Sequence, residues 1–303
     1  MVRPYAVKGK KRKKSEGKHY REEADEQQQL EAVKRTMFHK TASNGDDEQA
    51  VDTEKDGANG DIDELDGIPL APSDQKDVNR AGVTFILEKA SLEVAKVGKV
   101  VFFFFFFLFF HLNLTYQLLN SDDHSNFLRR NNRNPADYRP DIVHQALLMI
   151  LDSVLNKAGM LRAVYVKTDK GDLIEIKPNV RIPRTFKRFA GIMLQLLQKL
   201  SINAVGKREK LMKVIRNPVT QYLPLNSRKI GLSYSSEKLV KLQDYVETYS
   251  NDTSLVFVVG AMAHGKVETD YTDDYIAISS YPLSAAVCIG KICVALENKW
   301  NLL

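Results

Sequence analysis

Cysteine is nearly absent: the 303 residues contain two, Cys288 and Cys293. Five positions apart, they offer no disulfide framework and a poor spacing for zinc, so a reducing compartment is expected. The six histidines cluster with neither cysteines nor paired acids, and no metal site is expected. Two phosphate-binding signatures are also missing. Without G-x-G-x-x-G or G-x-x-x-x-G-K-[ST], neither a dinucleotide-binding turn nor a P-loop is supported. No apolar run reaches the length of a membrane span, and no secretory h-region follows Met1. A membrane is therefore not an expected partner.

What is present is an excess of positive charge. The net charge is +6 and the isoelectric point about 9.0, which fits a polyanionic partner. The charge is unevenly spread. Residues 1–78 open with a Lys/Arg run between Lys8 and Lys18, continue acidic and Gln-rich, and end rich in Gly and Asp. This block has few aromatics and no sustained apolar period, so it cannot offset its ordering entropy and reads as a disordered tail. Its basic run reads as a nuclear-localisation signal or an RNA-binding arm, against a merely solvating tail. Residues 79–303 form the folded domain. The 44% hydrophobic content is ordinary for a globular chain of this length.

Within that domain, Arg-Ile-Pro-Arg-Thr-Phe-Lys-Arg-Phe (residues 181–189) stands out. Pro183 suits the first helical position. Arg181, Arg184 and Arg188 follow a 3–4 spacing that places them on one side of the start of a helix running to about Leu200. Phe189, Ile192, Met193, Leu196 and Leu200 repeat with helical period and mark its buried face. A cationic comb with no matching acids beside it suits a row of phosphates, against the plainer reading of a solvated basic face.

The C-terminal third reads as strands ending in small or polar loops. Residues 254–259 lead into Gly260-Ala261-Met262-Ala263-His264-Gly265-Lys266, and residues 275–279 into Ser280-Tyr281-Pro282-Leu283 before a small-residue helix over 283–298. A third strand ends near Leu232 and Ser233. Such loops allow backbone to approach a ligand at the edge of a parallel sheet, though ordinary strand-to-helix turns look much the same. Elsewhere, residues 83–87 read as a strand and 88–96 as a helix. An amphipathic helix is expected over 142–155, a hairpin over 163–177 around Asp169-Lys170-Gly171, a short helix over 209–215 and another over 239–249. Strands alternating with helices argue for an α/β fold with a mostly parallel sheet.

One segment fits nothing. Residues 100–115 contain eight phenylalanines, with neither helical nor strand amphipathicity, and would favour aggregation if exposed.

Taken together, several strings make the domain recognisable. They are Asn120-Ser121-Asp122-Asp123-His124, Tyr138-Arg139-Pro140-Asp141-Ile142-Val143-His144-Gln145, residues 181–189, Asn217-Pro218-Val219-Thr220, residues 259–266 and residues 278–285. In this order they resemble the eukaryotic and archaeal small-subunit rRNA pseudouridine N1-methyltransferases of the SPOUT superfamily, from about Val83 to Leu303. The resemblance implies a SPOUT-type parallel sheet with a C-terminal deep trefoil knot. It implies S-adenosyl-L-methionine as cofactor, a homodimer, small-subunit rRNA as substrate, and work in the nucleus and nucleolus beside small-subunit assembly factors. In the family Gly98-Lys99 leads almost directly to Tyr116, so residues 100–115 read as an insertion. Translated intronic sequence is the expected origin, and a genuine lineage-specific loop the alternative.

The resemblance also assigns residues. Leu232, Ser233, Gly260, Gly265, Ile278, Ser279, Ser280, Tyr281, Pro282 and Leu283 are expected at the cofactor, although Tyr281-Pro282 also suits a plain turn. Arg139, Arg181, Arg184 and Arg188 are expected at the RNA. Methyl transfer from an activated sulfonium depends more on proximity than on acid or base strength. The acceptor imide must lose a proton, and a cation stabilises the anion that develops. Arg139 is the candidate for that role. Asp141 is expected to orient it or to cap the following helix rather than move a proton. His264 stands where many family members carry arginine. His124 and His144 read as core or capping residues. The alternative to an enzyme is a non-catalytic assembly factor that binds pre-rRNA.

Overall fold

The computed structural model describes residues 81–100, 112–206, 208–267 and 270–302. The basic tail and the phenylalanine run from 101 to 111 lie outside the described residues, as does the expected boundary at 78/79.

An eight-stranded sheet organises the domain. Its strands in chain order are β1 (Val83–Ala90), β4 (Leu161–Thr168), β5 (Leu173–Ile176), β6 (Ser201–Asn203), β7 (Lys210–Ile215), β8 (Ser227–Leu232), β9 (Ser254–Gly260) and β10 (Asp274–Ile276). They stand side by side as β10-β8-β9-β1-β4-β5-β7-β6. The first five of that order are parallel and the last three join antiparallel. The remaining two strands, β2 (Val94–Val100) and β3 (Leu112–Leu118), pair with each other in an antiparallel ribbon.

β1 sits in the middle because it is apolar on both sides, as a doubly covered parallel strand must be. Val83, Phe85 and Leu87 join the main core, while Ile86 joins a smaller one with Tyr165, Val256 and Val258. Among the helices that close the main core are α2 (Pro140–Asp152), α4 (Phe186–Lys199), α5 (Leu242–Glu247) and α6 (Ala285–Lys299). Two more helices, α1 (Ser121–Arg130) and α3 (Val154–Lys157), flank α2 in sequence. Asn120 caps α1 by accepting the Asp123 N–H at 2.7 Å.

Three expected elements differ. Residues 88–96 are not helical: β1 continues to Ala90, and β2 begins at Val94. Glu, Lys and Ala there favour helix, but pairing of Glu88 with Gly260 in the sheet overrides a weak local propensity. Residues 209–215 form β7 for a similar reason. Lys213 lies opposite Glu175 on β5, and their side chains meet at 2.7 Å. Finally, Pro183 does not begin the arginine-bearing helix, since α4 starts at Phe186 after Thr185. The Pro183 carbonyl is bound by His144 Nε2 at 2.8 Å. Arg181 and Arg184 therefore lie on the approach to α4, and Arg188 alone of the comb is helical. Proline does occupy the first helical position at Pro140 of α2.

Candidate active site

β8, β9 and β10 run parallel and end at one edge of the sheet. The loops that follow them enclose a cavity of about 680 Å³. Leu232 and Ser233 enter from β8, Gly260, Met262 and Gly265 from β9, and Ile278, Ser279, Tyr281, Pro282 and Leu283 from the segment after β10. This is the crevice position typical of open α/β sheets. Across it stand Arg139, Asp141, Ile142 and Gln145 from the first turns of α2. Two motifs about a hundred residues apart in sequence thus share one cavity.

The two glycines act differently. Gly265 has φ +109°, which side-chain-bearing residues rarely adopt, and a Cβ there would meet little. Gly260 is restricted by packing, since a Cβ would lie 2.9 Å from Val267 Cγ2 and 3.1 Å from Met262 Cε. The loop between them and the segment after it are anchored to β1. The Ala261 N–H donates to the Glu88 carbonyl at 2.8 Å. Lys89 Nζ donates to the Lys266 carbonyl at 2.9 Å, and Tyr271 Oη to Glu88 Oε1 at 2.5 Å.

On the opposite wall, Arg139 grips Asp141 with two hydrogen bonds, Nε to Oδ1 at 2.9 Å and Nη2 to Oδ2 at 2.7 Å. This planar fork fixes the guanidinium more firmly than a single contact would. Arg139's hydrogen bonds hold the Asp141 carboxyl below its usual range, and that effect outweighs partial burial. Asp141 therefore stays ionised near neutral pH and orients Arg139. It also lies in the first turn of α2, where negative charge is favoured. The capping position itself belongs to Arg139, whose side chain makes no capping bond.

A second group fixes the backbone of Arg139. Its N–H donates to Ser91 Oγ at 2.8 Å. Two residues on, Glu93 takes hydrogen bonds from Arg133 and from Tyr138 Oη at 3.3 Å, and pairs with Lys170 at 2.8 Å. Burial pushes the Glu93 carboxyl up, but Lys170 and Arg133 together hold it below its ordinary value.

The remaining expected residues lie elsewhere. Ser280 faces a different hollow, beside Leu239, Val240 and Val294. Arg181 and Arg184 border a smaller cavity between α2 and the 178–184 segment. The comb is not free of acids as expected, because Arg184 Nη1 pairs with Asp152 Oδ2 at 2.6 Å, at an exposed position. His124 is buried; its Nδ1 accepts the Asn120 N–H at 3.1 Å and its Nε2 meets Gln117 Oε1 at 2.8 Å. His144 is likewise buried, its ring stacked on Phe189. His264 lines the larger cavity, with Gly260 and Gly265.

Sequence reasoning missed Met262, Gln145 and Ser121, which also line this cavity. Gln145 was within reach, since it lies four residues after Asp141 on one helix face. Among the described residues, no three His, Cys, Asp or Glu gather as a metal site. No helix among them is long and apolar enough to cross a membrane.

The family model described as EMG1/NEP1 methyltransferase matches residues 85–297. A mouse protein, ribosomal RNA small subunit methyltransferase NEP1, is 48% identical over 218 residues, covering 72% of this chain and 82% of its own. A Thermococcus kodakarensis protein, ribosomal RNA small subunit methyltransferase Nep1, is 31% identical over 165 residues, covering 54% of this chain and 73% of its own. Among solved structures, Archaeoglobus fulgidus Nep1 bound to S-adenosylhomocysteine shares the fold with a TM-score of 0.50 at 18% identity. That match covers 73% of this chain and 99% of the other.

Proposed function

The chain belongs to the EMG1/NEP1 methyltransferase family, and on that premise we propose that it is an S-adenosylmethionine-dependent methyltransferase of small-subunit rRNA, acting on N1 of a pseudouridine. One observation carries the reading: the loops after β8, β9 and β10 share a cavity with the Arg139–Asp141 pair.

The cavity fits the cofactor. Its volume is in the range of small-molecule sites, and Leu232, Ile278 and Leu283 offer apolar walls to an adenine. When bound, the cofactor supplies an electrophilic methyl group on a sulfonium. Everything else is positioning. Arg139, held by Asp141, faces the acceptor and stabilises negative charge as the imide N–H loses its proton to water. With Asp141 kept ionised by Arg139, the pair works through charge and orientation. The target nucleotide must leave its stack to enter, so an unpaired loop is the expected substrate. Arg181, Arg184 and Arg188 then hold the flanking phosphates.

The finer points belong to the same reading. A homodimer is supported by α6, where Val287 and Val294, seven residues apart, are 47% and 56% exposed on one helix face. The deep knot would thread the C-terminal helix past the loops that line the cavity. Nuclear and nucleolar work beside assembly factors rests on the family membership, and the basic run near the N-terminus suits a nuclear-localisation signal.

The test is transfer of labelled methyl from S-adenosylmethionine to a hairpin RNA carrying pseudouridine in its loop. A uridine hairpin is the control. Label in the pseudouridine hairpin alone supports the reading. A protein that binds the RNA but labels neither hairpin is an assembly factor.

A further inference from the structure

Three polar side chains from the first turns of α2 line the larger cavity: Arg139, Asp141 and Gln145. Arg139 and Asp141 hold each other through two hydrogen bonds. Gln145 is exposed, and its amide has no hydrogen-bond partner among the described residues. Ser121, which also lines the cavity, turns its Oγ to Asp122 Oδ1 at 3.3 Å. Gln145 follows Asp141 by four residues and Ile142 by three, so the three share one face of α2. Along the helix axis Gln145 stands about 6 Å beyond Asp141. One turn from the charged pair, the cavity thus meets a neutral amide with both its donors and its acceptor uncommitted.

We propose that Gln145 decides which nitrogen of the pseudouridine is methylated. The inference rests on the reading of the chain as a pseudouridine N1-methyltransferase. Pseudouridine is joined to its ribose through C5, so its two N–H groups, N1 and N3, lie symmetrically about the axis through C5 and C2. A half-turn about the glycosidic bond exchanges them. A site that only held the ring flat would offer either nitrogen to the methyl donor, and the chemistry would be the same. The nitrogen loses its proton to water and takes the methyl from the sulfonium, which leaves as a thioether. The carbonyls break the symmetry. N3–H lies between C2=O and C4=O, whereas N1–H lies between C2=O and C6–H. A primary amide matches the N3–H/C4=O edge: Gln145 Oε1 accepts the N3 proton while Nε2 donates to the C4 oxygen. That pairing turns N1 away from Gln145, toward the side on which Arg139 stabilises the developing anion. In the half-turned ring the amide meets N1–H and C6–H, and Nε2 is left without an acceptor. A site built on hydrogen bonds rejects such a ligand. Ile142, on the same helix face, gives the ring an apolar surface.

The experiment uses the full chain, its Gln145→Leu variant and two hairpin RNAs, one with pseudouridine and one with 3-methylpseudouridine at the same loop position. Leucine keeps the size of the side chain and removes both hydrogen bonds. Melting temperature and S-adenosylmethionine affinity should not change. In anisotropy titrations Gln145→Leu should bind the pseudouridine hairpin about tenfold more weakly. It should bind the 3-methyl hairpin no more weakly than the unaltered protein does, because that base has already lost its N3–H. After methyl transfer the hairpin is digested and its nucleosides are separated by chromatography and mass. The unaltered protein should give 1-methylpseudouridine alone, and Gln145→Leu a mixture with 3-methylpseudouridine. A side chain that served only the fold would not change the position of the methyl group. The proposal is overturned if the variant binds like the unaltered protein, if it still gives the N1 product alone, or if it weakens both hairpins equally. A failure of the underlying reading looks different: the unaltered protein would transfer no methyl to the pseudouridine hairpin.

Discussion

His144 donates from Nε2 to the carbonyl oxygen of Pro183 at 2.8 Å, and its ring stacks on Phe189 with centroids 4.6 Å apart. α2 thereby does two things. Its first turn presents Arg139 and Asp141 to the cavity, and its second fixes the start of the arginine run. His144→Phe keeps an aromatic ring against Phe189 and removes the hydrogen bond. It should weaken hairpin RNA binding by about three- to tenfold, the worth of one hydrogen bond, with S-adenosylmethionine affinity unchanged. Anisotropy and calorimetric titrations check this. Equal losses for both ligands would mean that His144 only supports the fold.

Blocking the loops should abolish cofactor binding. Gly260→Val adds atoms where Val267 and Met262 already crowd, so the loop carrying Gly265 must shift. Leu283→Asp puts a charge into an apolar wall. Each should lower S-adenosylmethionine affinity by about a hundredfold or more while thermal unfolding stays cooperative, the cost of burying an unpaired charge or displacing the loop. Unchanged affinity in both would refute the pocket.

The arginine run should be read by salt. Arg184→Ala with Arg188→Ala should weaken hairpin binding and reduce the slope of log K against log salt by about 0.7 per lost phosphate contact on single strands. Because Arg184 pairs with Asp152 in the free protein, Asp152→Asn should have the opposite effect and tighten binding. An unaltered slope in the double variant would show that these arginines are only a solvated face.

The ribbon defines a clean test of the phenylalanine run. Val100 of β2 lies opposite Leu112 of β3, so their ends are close enough for a tight turn. Replacing residues 101–111 with Asn-Gly should yield a more soluble protein with unchanged cofactor affinity, because that dipeptide favours two-residue hairpin turns. If the replacement unfolds the protein, the phenylalanines belong to a real core and an intronic origin is wrong.

The legible parts of the sequence were those with strong local signals. The parallel strands ending near Leu232 and Gly260 are short apolar runs closed by small residues, and the hairpin after Thr168 has its turn chemistry in plain view. Misread segments were decided at long range. Residues 88–96 and 209–215 carry helix-favouring side chains, yet neighbouring strands pair with them. The start of α4 was misplaced because the Pro183 carbonyl is taken by a histidine 39 residues away. The Arg139–Asp141 pairing could be anticipated from a spacing of two, whereas the Arg184–Asp152 contact could not. Ser280 lines only the hollow beside Leu239, whereas Ser279 borders both that hollow and the larger cavity, a difference that adjacency in sequence does not reveal.

On the proposed reading, Arg139 acts on the acceptor in a cavity it shares with the cofactor loops. The most direct test is Arg139→Ala, assayed at saturating S-adenosylmethionine and saturating pseudouridine hairpin. Methyl transfer should fall by about a hundred- to a thousandfold, the cost of removing one preorganised charge partner, while S-adenosylmethionine affinity is unchanged. Transfer at the unaltered rate, or a loss explained entirely by weaker cofactor binding, would contradict it.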